Sequence, residues 1–276
     1  MSIRRIALFQ AQSGIDPPAN ARKLAEAVSK SAEGGAAMLF TPEMSGMLDR
    51  DRERALGKAK SEGDDGVLAE VREAAAKHGV WVHLGSLALR GDGGKLVNRG
   101  FVIDNRGEIR ARYDKIHLFD VDLPTGESWR ESTMYAAGKS AVIVPDTPVG
   151  KLGLSICYDL RFPELFQRLS EAGADVISVP AAFTVPTGRA HWQVLMRARA
   201  IEAELFIVAA AQAGRHEDGR ETYGHSLVAD PWGELILEMD GEPGLAFAEL
   251  DLARIADVRA RIPVHQHRRP IGPVAN

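Results

Sequence analysis

The chain has 276 residues, with 34 Lys and Arg against 38 Asp and Glu, so its net charge of −4 leaves no electrostatic footprint for nucleic acid or an anionic membrane. Apolar residues at 45% and charged residues at 26% are the balance of a soluble globular protein with a substantial core. The one cysteine, Cys157, excludes an internal disulfide framework and a multi-cysteine zinc site. No apolar run approaches the roughly 18 residues of a membrane span, and the short run after Met1 falls below a signal-peptide core. A cytoplasmic location is expected.

In chain order, Ile3 to Gln10 reads as a strand, and Ala19 to Ala32 has helical spacing at Leu24, Ala27 and Val28 before the Gly34-Gly35 stop. Ala36 to Phe40 is a short strand ending at Thr41-Pro42-Glu43, and Gly66 to His78 is a helix closed by Gly79. Val80 to Leu89, Leu96 to Asp104 and Glu108 to Tyr113 read as paired strands, with a turn at Asp104-Asn105-Arg106-Gly107. Lys115 to Lys139 reads as a long irregular stretch, and such loops often carry function. Beyond it, Ala141 to Val144 and Leu152 to Ile156 are strands, Pro163 to Ala172 a helix, and Val176 to Val179 a strand. Ala190 to Glu204 is helical, Phe206 to Ala211 a strand, and Ser226 to Ala229 with Glu234 to Glu238 a hairpin about Asp230-Pro231-Trp232-Gly233. Ala246 to Leu250 and a helix over Leu252 to Arg261 close the pattern before a Pro- and Arg-rich tail. Without a linker or a repeat, residues 1–276 read as one α/β domain of mixed sheets covered by helices.

Three strand ends carry chemistry. Cys157 stands where an apolar strand gives way to a helix, a place that exposes a nucleophile beside turn N–H groups able to stabilise an oxyanion. The alternative is a small buried core residue. Glu43 ends another strand and can serve as a base for a thiol, or be a solvated loop charge. Lys115 ends a third, and either supports an oxyanion or sits on the surface. No His-Glu-x-x-His or comparable metal pattern is present, although His265 and His267 stand two apart. A redox thiol protein would carry a resolving cysteine, and a binding protein would not need Glu43, Lys115 and Cys157 together.

Thr41-Pro42-Glu43-Met44-Ser45-Gly46, Tyr113-Asp114-Lys115-Ile116-His117-Leu118-Phe119-Asp120 and Ile156-Cys157-Tyr158-Asp159-Leu160-Arg161-Phe162-Pro163-Glu164 resemble, in order, the three motifs of the nitrilase superfamily of carbon–nitrogen hydrolases. Asp230-Pro231-Trp232-Gly233, Tyr223-Gly224-His225-Ser226 and the tail at Ile262 to Pro270 extend the resemblance over nearly the whole chain, toward the branch of deaminated glutathione amidase and omega-amidase. Glu62-Gly63-Asp64-Asp65-Gly66 and Pro17-Pro18 depart from it. The resemblance implies a four-layer α-β-β-α sandwich, two mixed sheets flanked by helices. It also implies amide hydrolysis through a thioester, with Cys157 as nucleophile, Glu43 as base and Lys115 as oxyanion donor. Glu131 would be a second glutamate, with Glu127 as its substitute. No cofactor or metal is called for. Tyr158, Arg161, His191, Arg215 and His225 are the expected substrate-binding residues, Tyr158 through its backbone N–H. The expected partners are a small-molecule amide and a second copy of the chain in a homodimer or larger assembly.

Overall fold

In a computed structural model, which describes residues 3–123, 126 and 128–274, the expected elements are present and their bounds follow local chemistry. The apolar start forms β1 (Ile3–Gln10). Asp16 then caps α1 (Pro17–Glu33) by accepting the Ala19 N–H at 3.3 Å, and Pro17-Pro18 fit a first turn whose N–H groups have no helical acceptor. After β2 (Met38–Phe40) and the short α2 (Arg52–Lys58), the acidic stretch at 62–66 acquires a purpose. Asp65 accepts the Leu68 N–H at 2.8 Å and caps α3 (Gly66–His78), while Glu62 pairs with Arg99 and Arg112.

β3 (Trp81–Arg90), β4 (Leu96–Ile103) and β5 (Ile109–Asp114) form an antiparallel meander. The stretch expected to be irregular instead holds a hairpin of β6 (Asp120–Asp122) and β7 (Ser128–Arg130), a 3-10 turn over Glu131–Thr133, and β8 (Tyr135–Ala136). Strands of two or three residues show no readable alternation, which is why they escape a periodicity argument. Glu127 lies outside the described residues. Next come β9 (Val142–Thr147), β10 (Gly150–Leu154), α4 (Pro163–Glu171) and β11 (Val176–Ser178). Helix α5 (Val185–Ala203) begins at Val185 rather than at Ala190, because Pro186 is suited to a first turn. The chain continues through β12 (Phe206–Ala209), β13 (Ala213–Arg215), β14 (Glu221–Tyr223), β15 (Leu227–Ala229), β16 (Leu235–Glu238) and β17 (Gly244–Asp251). It ends with α6 (Ala253–Arg261) and α7 (Val264–His267).

Two large sheets result, ordered β17-β1-β2-β3-β4-β5, with β8 beside β4, and β16-β15-β12-β11-β10-β9, beside the two-stranded ribbons β6-β7 and β13-β14. Each large sheet has three central parallel strands, β1-β2-β3 and β10-β11-β12, with antiparallel neighbours. Strand alternation then sorts the side chains. Ile6, Leu8, Met38 and Phe40 pack in one cluster with Leu152, Leu154, Val176 and Val208 of the other sheet. Ala7, Leu39 and Val82 instead join Leu24 and Val28 of α1 and Val71 and Ala75 of α3. Helices α4 and α5 add Phe166, Leu169, Trp192 and Met196. At about 1.5–3 kcal/mol for each large apolar side chain removed from water, these two layers supply most of the drive to fold. The architecture is the α-β-β-α sandwich. Glu43, Lys115 and Cys157 each follow within three residues of a strand end, at β2, β5 and β10.

Candidate active site

Strand β10 runs out into a tight turn at Cys157, whose φ of 49° is left-handed. For a non-glycine residue that conformation costs of order 1–3 kcal/mol and persists only where neighbours enforce it. They do so here. The Cys157 N–H donates to the Pro180 carbonyl at 2.9 Å, and Asp159, two residues on, accepts the Ile156 N–H at 2.9 Å. Met44, next to Glu43, is left-handed too, with φ 55°.

Glu43, Lys115 and Glu131 meet beside Cys157 in a nearly dry cluster. The Lys115 ammonium donates to Glu43 Oε1 at 2.8 Å and to Glu131 Oε2 at 2.9 Å, and only 2% of its side chain reaches solvent. Asn98 of β4 spans the same two carboxylates, donating from Nδ2 to Glu43 Oε1 at 2.9 Å and Glu131 Oε1 at 3.3 Å. The Ala182 N–H holds Glu43 Oε2 at 3.0 Å, and the Phe119 N–H holds Glu131 Oε2 at 2.7 Å. Burial opposes the Lys115 charge, but Glu131 and Glu43 outweigh it and hold the ammonium well above the usual lysine range. Burial first, and then the Glu43 charge, push the Cys157 thiol well above its usual value, against the pull of Lys115 and the Ala182 N–H. The resting thiol therefore keeps its proton at neutral pH and needs a base to become a nucleophile. Glu43 is the carboxylate beside it, and Lys115 is the fixed positive charge.

These residues open into a cavity of about 630 Å³ lined also by Phe119, Trp129, Tyr158, Arg161, Phe183, Thr184 and Arg220. Phe119, Tyr158 and Phe162 stack edge to face at 5.1 and 5.4 Å, and the Arg161 guanidinium lies 5.9 Å from the Tyr158 ring and 5.8 Å from that of Phe183.

Three expected binding residues do not line this cavity. His191 is exposed on α5, its Nδ1 3.2 Å from Arg161 Nη2. Arg215 points outward at the end of β13, an exposed position paired with Glu221 in the hairpin register. His225 stacks on Tyr223 at 3.9 Å and turns its Nδ1 to the Tyr223 carbonyl. Spacing along the chain does not report which way a short strand or a left-handed residue aims its side chain. Sequence reasoning missed Arg220, which does line the cavity, and missed Asn98 and Asp159, which brace the carboxylate cluster and the Cys157 turn without lining it. An amide inside the apolar run Leu96 to Ile103 was the readable signal for Asn98. Among the described residues no group of three His, Cys, Asp or Glu is placed to hold a metal, and no helix is long and apolar enough to cross a membrane.

The chain matches the carbon-nitrogen hydrolase family model over residues 5–260. It is 42% identical to the deaminated glutathione amidase of Bos taurus, over 96% of this chain and 82% of that one. The crystal structure of the C. elegans NitFhit protein superposes with a TM-score of 0.91 at 38% identity, covering 97% of this chain and 65% of that one. A mutant amidase from Nesterenkonia sp. AN1, with acrylamide added at its active-site cysteine, superposes with a TM-score of 0.78 at 26% identity, over 95% of this chain and 99% of that one. The match to the family model over most of the chain, with the sandwich fold in common, establishes that this protein belongs to the carbon-nitrogen hydrolase family.

Proposed function

We propose that the protein hydrolyses the amide bond of deaminated glutathione, releasing 2-oxoglutarate and cysteinylglycine. The observation that carries the chemistry is the convergence of the buried Cys157, the Glu43 carboxylate and the Lys115 ammonium on one cavity. The substrate follows from the similarity to the bovine deaminated glutathione amidase, and omega-amidase chemistry on 2-oxoglutaramate is the less favoured reading.

Glu43 takes the thiol proton, and Cys157 Sγ attacks the amide carbon, pushing the carbonyl electrons onto oxygen. Lys115 and the Tyr158 N–H receive the oxyanion. As the C–N bond breaks, Glu43 returns the proton to the departing amine, leaving a thioester on Cys157. Glu43 then deprotonates a water that attacks the thioester, which frees the acid and restores the thiol. Glu131 holds Lys115 in place, with Asn98 bracing both carboxylates. Arg161, on the nucleophile's own turn, takes the 2-oxo acid carboxylate. No cofactor enters these steps.

The working unit in this reading is a homodimer. Val194 and Ile201 lie on one exposed stripe of α5, and Trp232 is exposed on the turn whose Gly233 meets Ile201. A cytoplasmic location is proposed on the lone, reduced cysteine, which suits a reducing compartment.

The test is release of 2-oxoglutarate from deaminated glutathione and from 2-oxoglutaramate by wild type and by Cys157→Ala. Preferred turnover of the first substrate, abolished in the variant, supports the reading. Preference for the second moves the assignment to omega-amidase, and activity surviving in Cys157→Ala sinks the thioester route.

A further inference from the structure

Arg220 is held in a way that no packing need explains. It leaves the tight turn that joins β13 to β14, where the His216 N–H bonds the Arg220 carbonyl at 2.8 Å. The Asp218 carboxylate, wholly buried, accepts the Arg220 backbone N–H at 3.0 Å and its Nε at 2.7 Å. It also accepts the Arg50 N–H at 2.9 Å, so two loops are pinned to one carboxylate. The guanidinium carbon lies 5.1 Å from the Trp129 ring centroid. One edge of the fork and one face are therefore committed. The two terminal nitrogens have no hydrogen-bond partner among the described residues, although Arg220 lines the catalytic cavity.

The other arginines of the cavity are held differently: Arg50 and Arg52 are exposed, with no side-chain partner among the described residues to fix them in place. Arg130 spends its Nη2 on both oxygens of Asp122, and Arg161 rests against Tyr158 and Phe183 on the nucleophile's side. A guanidinium with its Nε edge fixed and its Nη edge open presents paired donors in the geometry of a carboxylate. Fixing it beforehand removes most of the rotamer entropy that a free arginine would lose on binding. A cavity of about 630 Å³ also exceeds what a five-carbon acyl group requires, and leaves space for an amine half of dipeptide size.

We propose that Arg220 is the specificity residue that binds the carboxylate of the leaving-amine half of the substrate, the C-terminal carboxylate of the departing dipeptide. This rests on the functional reading above, with Arg161 serving the acyl half.

The experiment compares deaminated glutathione with its C-terminal carboxamide, which share the acyl group and the scissile bond, in wild type, Arg220→Gln and Arg220→Lys. In wild type the acid has the larger kcat/KM by roughly 10- to 100-fold, the worth of a charge-assisted pair, carried mainly by KM. In Arg220→Gln that ratio falls toward one. Arg220→Lys keeps the charge without the fork and gives an intermediate ratio, and it stands in if the Gln variant does not fold. A ratio unchanged by both substitutions, or no preference in wild type, overturns the proposal while leaving the amidase reading intact. Hydrolysis of neither compound instead sinks deaminated glutathione as the substrate and leaves the family membership standing. The subsite is then read by calorimetric titration of Cys157→Ser protein with cysteinylglycine and its amide. Binding of the acid alone, lost in Arg220→Gln, upholds it, and equal or absent binding overturns it.

Discussion

The Tyr113 hydroxyl donates to Asp159 Oδ2 across 2.6 Å, and so ties the strand that delivers Lys115 to the turn that delivers Cys157. Asp159 is fully buried and collects more from the same segment: the His117 N–H at 3.0 Å and His117 Nδ1 at 2.7 Å, both on Oδ1. His117 in turn stacks on Phe162 at 3.6 Å. One carboxylate thereby registers two strand ends from different sheets, and the separation of nucleophile and ammonium depends on it.

Tyr113→Phe removes a single hydrogen bond to a buried charge without changing shape. Stability should fall by about 1.5–3 kcal/mol, measured as a shift of the denaturant midpoint at constant slope. Turnover should fall by up to about 100-fold, because small misplacements of reacting groups cost that much. Wild-type turnover in a destabilised Tyr113→Phe would show that Asp159 serves folding alone.

Glu43→Gln separates the two effects that Glu43 exerts on the thiol. As the proposed base, its loss should lower amide hydrolysis by about 10²- to 10⁴-fold. Yet the thiol is held high by burial and then by the Glu43 charge, with Lys115 pulling the other way. Removing that charge leaves the Lys115 pull less opposed, so the pH midpoint for alkylation of Cys157 by iodoacetamide should move down. A midpoint that stays or rises would mean that Glu43 does not govern the thiol. In the wild type the folded state keeps a thiol proton that the unfolded chain has lost above the ordinary thiol value. The contribution of this group to stability is therefore present at neutral pH and is lost as pH rises through the raised value.

The strand ends before Glu43 and Cys157 were legible because each closes an apolar run, and the one before Lys115 because Ile109 to Asp114 alternates. That the three belong together was legible only from the resemblance of their motifs to a known family, since periodicity does not report contacts between distant strands. The helix bounds at Asp16 and Asp65 were only partly legible. Both caps act through one side-chain oxygen, and Asp65 stands in an acidic run whose other members do different work. Arg220 was illegible for a deeper reason. Its value comes from Asp218, two residues back, and from Trp129, which only tertiary folding brings beneath it. Arg215 has the same residue type five positions earlier, but the hairpin turns it outward. His225 shows the same limit, since its left-handed backbone, φ 58°, redirects the ring onto Tyr223.

His83 predicts an acid limb. It is wholly buried on β3, with Nε2 3.4 Å from Ser178 Oγ and Nδ1 without a partner among the described residues, and burial pushes its pKa down to about 3. Between the ordinary histidine value and about 3 the unfolded chain binds a proton that the folded one refuses, so stability falls as pH drops through that window, by about 1.4 kcal/mol per unit at most. His83→Gln removes this contribution. The loss of Tm between pH 7 and pH 4.5 should be smaller in the variant than in wild type. An equal loss would assign acid lability to other groups.

Gly85 fixes the spacing between the two walls of the site. It lies where the β3–β4 register shifts, and a Cβ there would come 2.1 Å from the Thr41 carbonyl oxygen, 2.5 Å from that of Pro42 and 2.6 Å from Pro180 Cβ. Thr41 and Pro42 lead into Glu43, and Pro180 accepts the Cys157 N–H. None of these is the far end of a flexible side chain, so Gly85→Ala must push backbone apart and move Glu43 relative to Cys157. Overpacking of this kind costs about 1–3 kcal/mol, and the reacting groups lose their alignment in the same step. Gly57→Ala is the control: it sits within α2 with nothing within 4 Å of the new methyl, and should stabilise by about 0.5–1 kcal/mol through helix propensity. Thermal unfolding and 2-oxoglutarate release from both variants check the contrast. Full turnover in Gly85→Ala would show that the separation of Glu43 from Cys157 is not set by this contact.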